Sequence, residues 1–106
     1  MKHWSVEELA RALTKREKLR LIDVREPEEF AICKINGAEL IPMSELPNRV
    51  RDILSSTEPV VLYCHHGVRS EYAMRWLHAR GAQNIGHLEG GIDAWAERIA
   101  PDMPRY

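Results

Sequence analysis

Short runs of consecutive apolar residues alternate along this chain with stretches in which apolar residues recur every three or four positions. The continuous runs are typical of buried parallel strands, and the longer spacing is typical of amphipathic helices. Strands that alternate with helices in this way indicate βαβ units, so we predict an α/β fold with a mostly parallel sheet. The predicted strands are residues 2–4, 19–24, 40–42, 59–64 and 84–90.

Residues that favour helix ends mark the first two predicted helices. Ser5 and Glu8 have the spacing of a capping box, so we expect a helix to follow Ser5 and to run to about residue 15. Pro27 suits the first turn of a short helix over residues 27–33. We expect that helix to direct Phe30 and Ile32 inward.

Three more helices are predicted in the second half of the chain. Ser44 is expected to cap a helix over residues 45–54. A second helix is expected over residues 70–80, with Gly81 as its terminating residue. The last helix is expected over residues 91–99.

The most hydrophobic predicted strand leads into the sequence "CHHGVRS", which begins at Cys64. In parallel sheets, ligands bind beyond the carboxyl ends of the strands, where Cys64 is placed. Gly67 permits a tight curve of converging amides, Arg69 adds positive charge, and a helix that starts near Ser70 directs its N-terminal amides at the loop. These features would stabilise a thiolate, so we interpret Cys64 as a nucleophile rather than as a small packed core residue.

Composition argues against several other classes of protein and leaves the interpretation of Cys64 unchanged. The chain of 106 residues has the length of a single domain, and its formal net charge of −1 gives no reason to expect nucleic-acid or membrane binding. No apolar stretch resembles a signal or a membrane span, so we expect a soluble, cytoplasmic protein. Two cysteines, Cys33 and Cys64, are too few for a disulfide framework.

Three motifs resemble those of the rhodanese (sulfurtransferase) domain family: "DVREPEEF" at 23–30, "CHHGVRS" at 64–70 and "LEGGIDAW" at 88–95. The resemblance extends from about Trp4 to Ala96. It implies a rhodanese-like three-layer sandwich with a central parallel sheet of about five strands. It also implies that Cys64 is the catalytic cysteine, which holds a persulfide. The remainder of the active-site loop would bind the substrate, and it consists of His65, His66, Gly67, Val68 and Arg69.

The resemblance also assigns positions outside the loop. Asp23 and Arg25 match a motif linked to the stability of the fold, and Gly90 and Gly91 match the turn before the last helix. The chain departs from the family pattern near Cys33, where glycine, histidine and proline are frequent. This departure leaves the chemistry of the loop cysteine intact.

The resemblance implies a sulfurtransferase that moves a sulfane sulfur from thiosulfate or a persulfide to a thiophilic acceptor, such as cyanide or a thiol. No metal or organic cofactor is expected. A sulfur-carrier protein or a thioredoxin-like reductant is a further candidate partner. The alternative is a sulfur-delivery or binding module that acts with a partner protein and turns over small molecules slowly.

Two other functions for the loop are disfavoured. Cysteine phosphatases place arginine six positions after the cysteine, whereas Arg69 comes five positions after Cys64 and would close a smaller cradle. His65 and His66 are expected to point apart, and the sequence suggests no third or fourth ligand for a metal. We expect both histidines to line the pocket mouth or face solvent.

The remaining candidate residues are expected to be structural. Cys33 is either a resolving thiol for Cys64 or a partly buried thiol with no role, and we favour the second interpretation. We expect Glu28 and Glu29 to be solvated charges. The other histidines, His3, His78 and His87, are expected at the surface or the sheet edge. The tryptophans are expected in the core: Trp4, Trp76 and Trp95.

Overall fold

Five parallel strands form one sheet through the middle of the molecule in the computed structural model, which describes residues 1–106. The strands are β1 (Lys2–Trp4), β2 (Arg20–Asp23), β3 (Glu39–Leu40), β4 (Val60–Tyr63) and β5 (Ile85–Leu88). Their order across the sheet is β1-β5-β4-β2-β3, which makes β4 the central strand. The predicted α/β fold with a five-stranded parallel sheet is confirmed.

Five α-helices connect and follow these strands. They are α1 (Val6–Thr14), α2 (Pro27–Ile32), α3 (Leu46–Leu54), α4 (Val68–Ala79) and α5 (Gly91–Arg98). The predicted capping box is present, because the Ser5 side chain accepts from the Glu8 amide and the Glu8 side chain accepts from the Ser5 amide. None of these helices combines the length and the apolar character that a membrane span requires.

The alternation of side chains along β4 divides the core into two clusters, one on each face of the sheet. Val60, Leu62 and Cys64 pack in the cluster that contains the buried residues of α3 and α4. Val61 and Tyr63 pack in the cluster that contains the buried residues of α1 and α5. The three layers follow from this period-2 pattern, because both faces of a central parallel strand must be covered by helices.

Two local expectations are wrong. Ser44 does not cap α3, because residues 43–45 form a separate 3₁₀ turn and α3 begins only at Leu46. Ile32 does not point inward, since it is 45% exposed at the end of a helix of six residues. In so short a helix Cys33, the residue that follows α2, is the one that enters the core.

A buried ion pair joins the end of β2 to the chain after α2. Arg25 and Asp23 have fully buried side chains, and the guanidinium donates to both carboxylate oxygens at 2.7 and 3.0 Å. Arg25 also donates to the carbonyl of Cys33 at 2.6 Å. A buried charge is tolerated only where its partners are satisfied in this way, so the pair fixes the course of the chain around α2.

We expect Asp23→Asn to lower the free energy of unfolding by about 3–5 kcal/mol, because it leaves the Arg25 guanidinium buried without its counter-charge. Urea unfolding measures this change. The control is Glu71→Gln, which removes an exposed ion pair to Arg75 and should leave the free energy of unfolding almost unchanged. Similar losses in the two variants would contradict a structural role for the buried pair.

Candidate active site

Cys64 lies directly after the central strand β4 and before α4, at the carboxyl end of the sheet. Its side chain is 1% exposed and packs in the cluster with α3 and α4. Strands on both sides of β4 hold the position of the cysteine. The sequence therefore placed Cys64 correctly with respect to the sheet.

The sulfur of Cys64 accepts hydrogen bonds from two backbone amides. Gly67 N lies 3.2 Å and Ser70 N 3.3 Å from Sγ, and Ser70 Oγ lies 3.6 Å away. Gly67 has a φ of +106°, which turns the loop back over the sulfur and favours glycine. Helix α4 begins at Val68, two residues earlier than predicted, so the Ser70 amide is one of the donors that the first helical turn leaves free. Converging amides of this kind favour an anion at the sulfur.

The N-terminus of α5 holds the same loop from the other side. The amides of Ile92 and Asp93 donate to the carbonyls of Cys64 and His65 at 2.9 and 3.0 Å. Gly91 lies so close that an added Cβ would overlap the same two carbonyl oxygens. The glycine pair 90–91 thus lets α5 dock against the backbone of the cysteine loop.

Arg69 has an ion-pair partner that the sequence did not predict. Its guanidinium forms a two-pronged ion pair with Glu29, at 2.7 and 3.0 Å. Glu29 is therefore not a solvated charge, and Arg69 lowers its pKa to about 2, with a further contribution from Tyr106. The two partners are 40 positions apart, and no local pattern in the sequence joins them.

Tyr106 completes this network, and nothing in the sequence predicted that it would lie at the site. Its hydroxyl donates to Glu29 at 2.6 Å and accepts from Arg25 at 2.8 Å. Burial, together with the carboxylate of Glu29, raises the pKa of Tyr106 to about 12. The tyrosine ring stacks on His65 with centroids 3.9 Å apart and planes 9° apart, so Tyr106 covers one side of the cysteine loop.

His65 and His66 do not point apart. Their ring centroids are 3.9 Å apart and their planes are inclined by 35°. Burial, followed by the neighbouring His66, lowers the pKa of His65. Ligand atoms of both histidines and of Asp93 lie within 4.8 Å of one another, so these three residues have the geometry to approach a single metal ion.

His87 is not a surface residue. It is 3% exposed, its Nδ1 lies 2.9 Å from Ser70 Oγ, and its Nε2 lies 3.2 Å from Nδ1 of the exposed His3. Burial, and then the charge of His3, lowers the pKa of His87. A chain of polar groups thus runs from Cys64 through Ser70 and His87 to the surface, and β5 supplies its central member.

An open cavity of about 180 Å³ lies beside the loop. Three predicted loop residues line it: His66, Gly67 and Val68. Val68 is 79% exposed at the start of α4, so its side chain is available at the rim. The structure therefore brings three of the predicted loop residues to one opening, while Arg69 is paired with Glu29.

Cys33 packs on the opposite face of the sheet from Cys64. It belongs to the cluster with α1 and α5, whereas Cys64 belongs to the cluster with α3 and α4. Both thiols are free and buried. The strand layer between them favours the interpretation of Cys33 as a structural thiol.

Among the tryptophans, Trp4 and Trp95 are core residues, and Trp76 is half-buried beneath Arg80.

The parallel sheet, the cysteine after its central strand and the amide-lined loop define a rhodanese-type architecture. Residues 5–98 match the model of the family described as the rhodanese-like domain, and the chain belongs to that family. A crystal structure of a rhodanese-like domain protein from Staphylococcus aureus has a TM-score of 0.81 at 34% identity, covering 90% of this chain and 91% of that chain.

Several relatives carry sulfurtransferase in their names, including these two. The chain is 46% identical over 91 residues to the probable adenylyltransferase/sulfurtransferase MoeZ of Mycobacterium tuberculosis, covering 84% of this chain and 23% of that protein. It is 37% identical over 95 residues to a sulfurtransferase of Allochromatium vinosum, covering 90% of this chain and 88% of that protein. The chain thus spans about a quarter of MoeZ and most of the Allochromatium protein.

We expect Gly91→Ala to destabilise the protein by about 1–3 kcal/mol more than Gly37→Ala, because only the Gly91 methyl group would overlap the loop backbone. Both glycines have positive φ, +61° and +87°, and an added Cβ at Gly37 would meet nothing within 4 Å. Thermal or urea unfolding of the two variants measures the difference. Equal destabilisation would show that α5 docks without the close approach at Gly91.

The pair of Glu29 with Arg69 predicts a pH dependence of stability. The pKa of Glu29 is about 2 in the folded protein against an ordinary 4.5, so its stabilising contribution is complete above pH 4.5 and disappears as the pH falls towards 2. We expect wild type and Glu29→Gln to differ in urea-unfolding free energy by a constant amount above pH 4.5, and by less at each step below it.

The matched control for this experiment is Glu28→Gln, which changes an exposed neighbour in the same helical turn. It should leave the pH profile of stability unchanged. A difference between wild type and Glu29→Gln that persists unchanged down to pH 2 would contradict the assigned pair.

Proposed function

We propose that residues 1–106 act as a single-domain sulfurtransferase whose nucleophile is Cys64. The observation that carries this proposal is the pair of amides, from Gly67 and Ser70, that donate to the cysteine sulfur at 3.2 and 3.3 Å. Such donors stabilise a thiolate, and they would equally stabilise a sulfur anion attached to it. The names of the two relatives support the same class of reaction.

The proposed reaction has two steps. The Cys64 thiolate attacks the sulfane sulfur of thiosulfate, a new S–S bond forms, and sulfite leaves with the electron pair of the broken S–S bond. A thiophilic acceptor then attacks the outer sulfur of the persulfide and releases the Cys64 thiolate. With cyanide as acceptor the product is thiocyanate. No metal or organic cofactor takes part, and a reducing compartment such as the cytoplasm would keep Cys64 reduced.

We assign the remaining loop residues to substrate binding, either by bordering the substrate or by holding the loop in shape. Gly67 supplies an amide to the sulfur, and His66 and Val68 border the opening through which a donor would approach. His65 and Arg69 support the loop through Tyr106 and Glu29. The pairing of Arg69 also disfavours a phosphatase, which needs an arginine free to clamp an oxyanion.

Intact-protein mass spectrometry after incubation with thiosulfate tests the nucleophile. We expect wild type to gain the mass of one sulfur atom and Cys64→Ser to gain none, because only the Cys64 thiolate is held by converging amides. Cys33→Ser is the matched control, and it should gain the sulfur and keep full turnover with cyanide. A mass gain that survives Cys64→Ser, or no gain in wild type, would contradict the mechanism.

A sulfur-delivery module that acts with a partner is the second candidate. It is favoured by the match to MoeZ, in which a region like this chain occupies only 23% of a longer protein. Slow turnover with cyanide but fast transfer to a sulfur-carrier protein or a thioredoxin-like reductant would favour this candidate. Fast turnover with small acceptors alone would favour the free-standing enzyme.

A further inference from the structure

Three aromatic rings form a stack at the mouth of the cysteine loop. His65 lies in the middle, with Tyr106 and His66 on either side at centroid distances of 3.9 Å each. The stack aligns the edges of the two imidazoles instead of separating them. The carboxylate of Asp93, in the first turn of α5, lies at that edge, with Oδ2 3.9 Å from Nε2 of His66.

One ring nitrogen of His65 has no hydrogen-bond partner. Its Nε2 is buried and has no hydrogen-bond partner in the protein, and it is the one buried side-chain nitrogen or oxygen in this condition. A buried polar atom without a partner destabilises the folded state. Neutral imidazole nitrogens are among the commonest metal ligands, so a ligand at this edge would satisfy the atom.

Neighbouring groups hold the Asp93 carboxylate and the loop in place. Arg105 donates to Oδ1 of Asp93 at 3.0 and 3.3 Å, which leaves Oδ2 turned towards His66. The amide of Asp93 donates to the carbonyl of His65, so α5 and the loop keep a fixed separation. Metal sites depend on outer groups of this kind to hold the ligands in place.

We propose that His65, His66 and Asp93 form a binding site for a divalent transition-metal ion of the zinc type. Two imidazoles and one carboxylate are a donor set that Zn²⁺ accepts, with a fourth position left for water or another ligand. Ligand atoms around tetrahedral zinc are about 3.4 Å apart, so the present cluster needs side-chain movements of roughly an ångström to close.

This inference goes beyond sulfur transfer and does not depend on it. Cys64 is outside the donor set, and its sulfur accepts hydrogen bonds from the amides of Gly67 and Ser70. The thiols must nevertheless be removed from the test, since cysteine sulfur itself binds zinc.

The test uses the full chain without a histidine tag and with Cys33 and Cys64 both replaced by serine. Calorimetric titration with Zn²⁺ should give one equivalent, and Co²⁺ should give the visible absorption of a low-coordinate nitrogen and oxygen site without thiolate charge-transfer bands. His66→Ala and Asp93→Asn in this background should each weaken Zn²⁺ binding by at least about 10-fold.

The control is His78→Ala, which removes an exposed histidine from the last turn of α4 and should leave binding unchanged. His66 is also exposed, so its replacement should preserve the fold, and circular dichroism checks this. No Zn²⁺ binding by the double-serine protein, or equal weakening by His78→Ala and His66→Ala, would overturn the proposal.

Discussion

The hydrogen bonds from the first turn of α5 to the backbone of the cysteine loop are the constraint on which the site depends. They fix the carbonyls of Cys64 and His65 against a helix that follows a different strand. With the carbonyls held outward, the amides of the loop and of α4 are free to converge on the sulfur. The close approach at Gly91 makes this docking possible, so the site is a joint product of β4, β5 and the two helices that follow them.

The parts of the structure that were predicted correctly rest on local chemistry. The capping box at Ser5 and Glu8 involves residues three positions apart, and the central strand β4 is a continuous apolar run. The position of Cys64 followed from its place at the end of the most hydrophobic predicted strand and from the general rule for parallel sheets. The predicted helix cap at Ser44 was wrong because residues 43–45 form a 3₁₀ turn, which precedes α3 and has no capping side chain.

The contacts that were missed join residues far apart in the chain. Glu29 pairs with Arg69 and Tyr106, at separations of 40 and 77 positions, and a charged residue in a first helical turn gives no sign of such partners. His87 was expected at the surface or the sheet edge because its neighbours in sequence do not show that Ser70 lies beside it. His65 and His66 were expected to diverge, but that rule applies to extended strands and these residues lie in bends.

The placement of the two thiols on opposite faces of the sheet has a consequence for oxidative damage. If an oxidant converts Cys64 to a sulfenic acid, the remaining thiol of the chain lies in a separate core and offers no internal disulfide to protect it. Recovery then requires a thiol from outside the molecule, and without one oxidation proceeds to irreversible acids. The survival of the protein under oxidative stress would depend on the thiol pool around it.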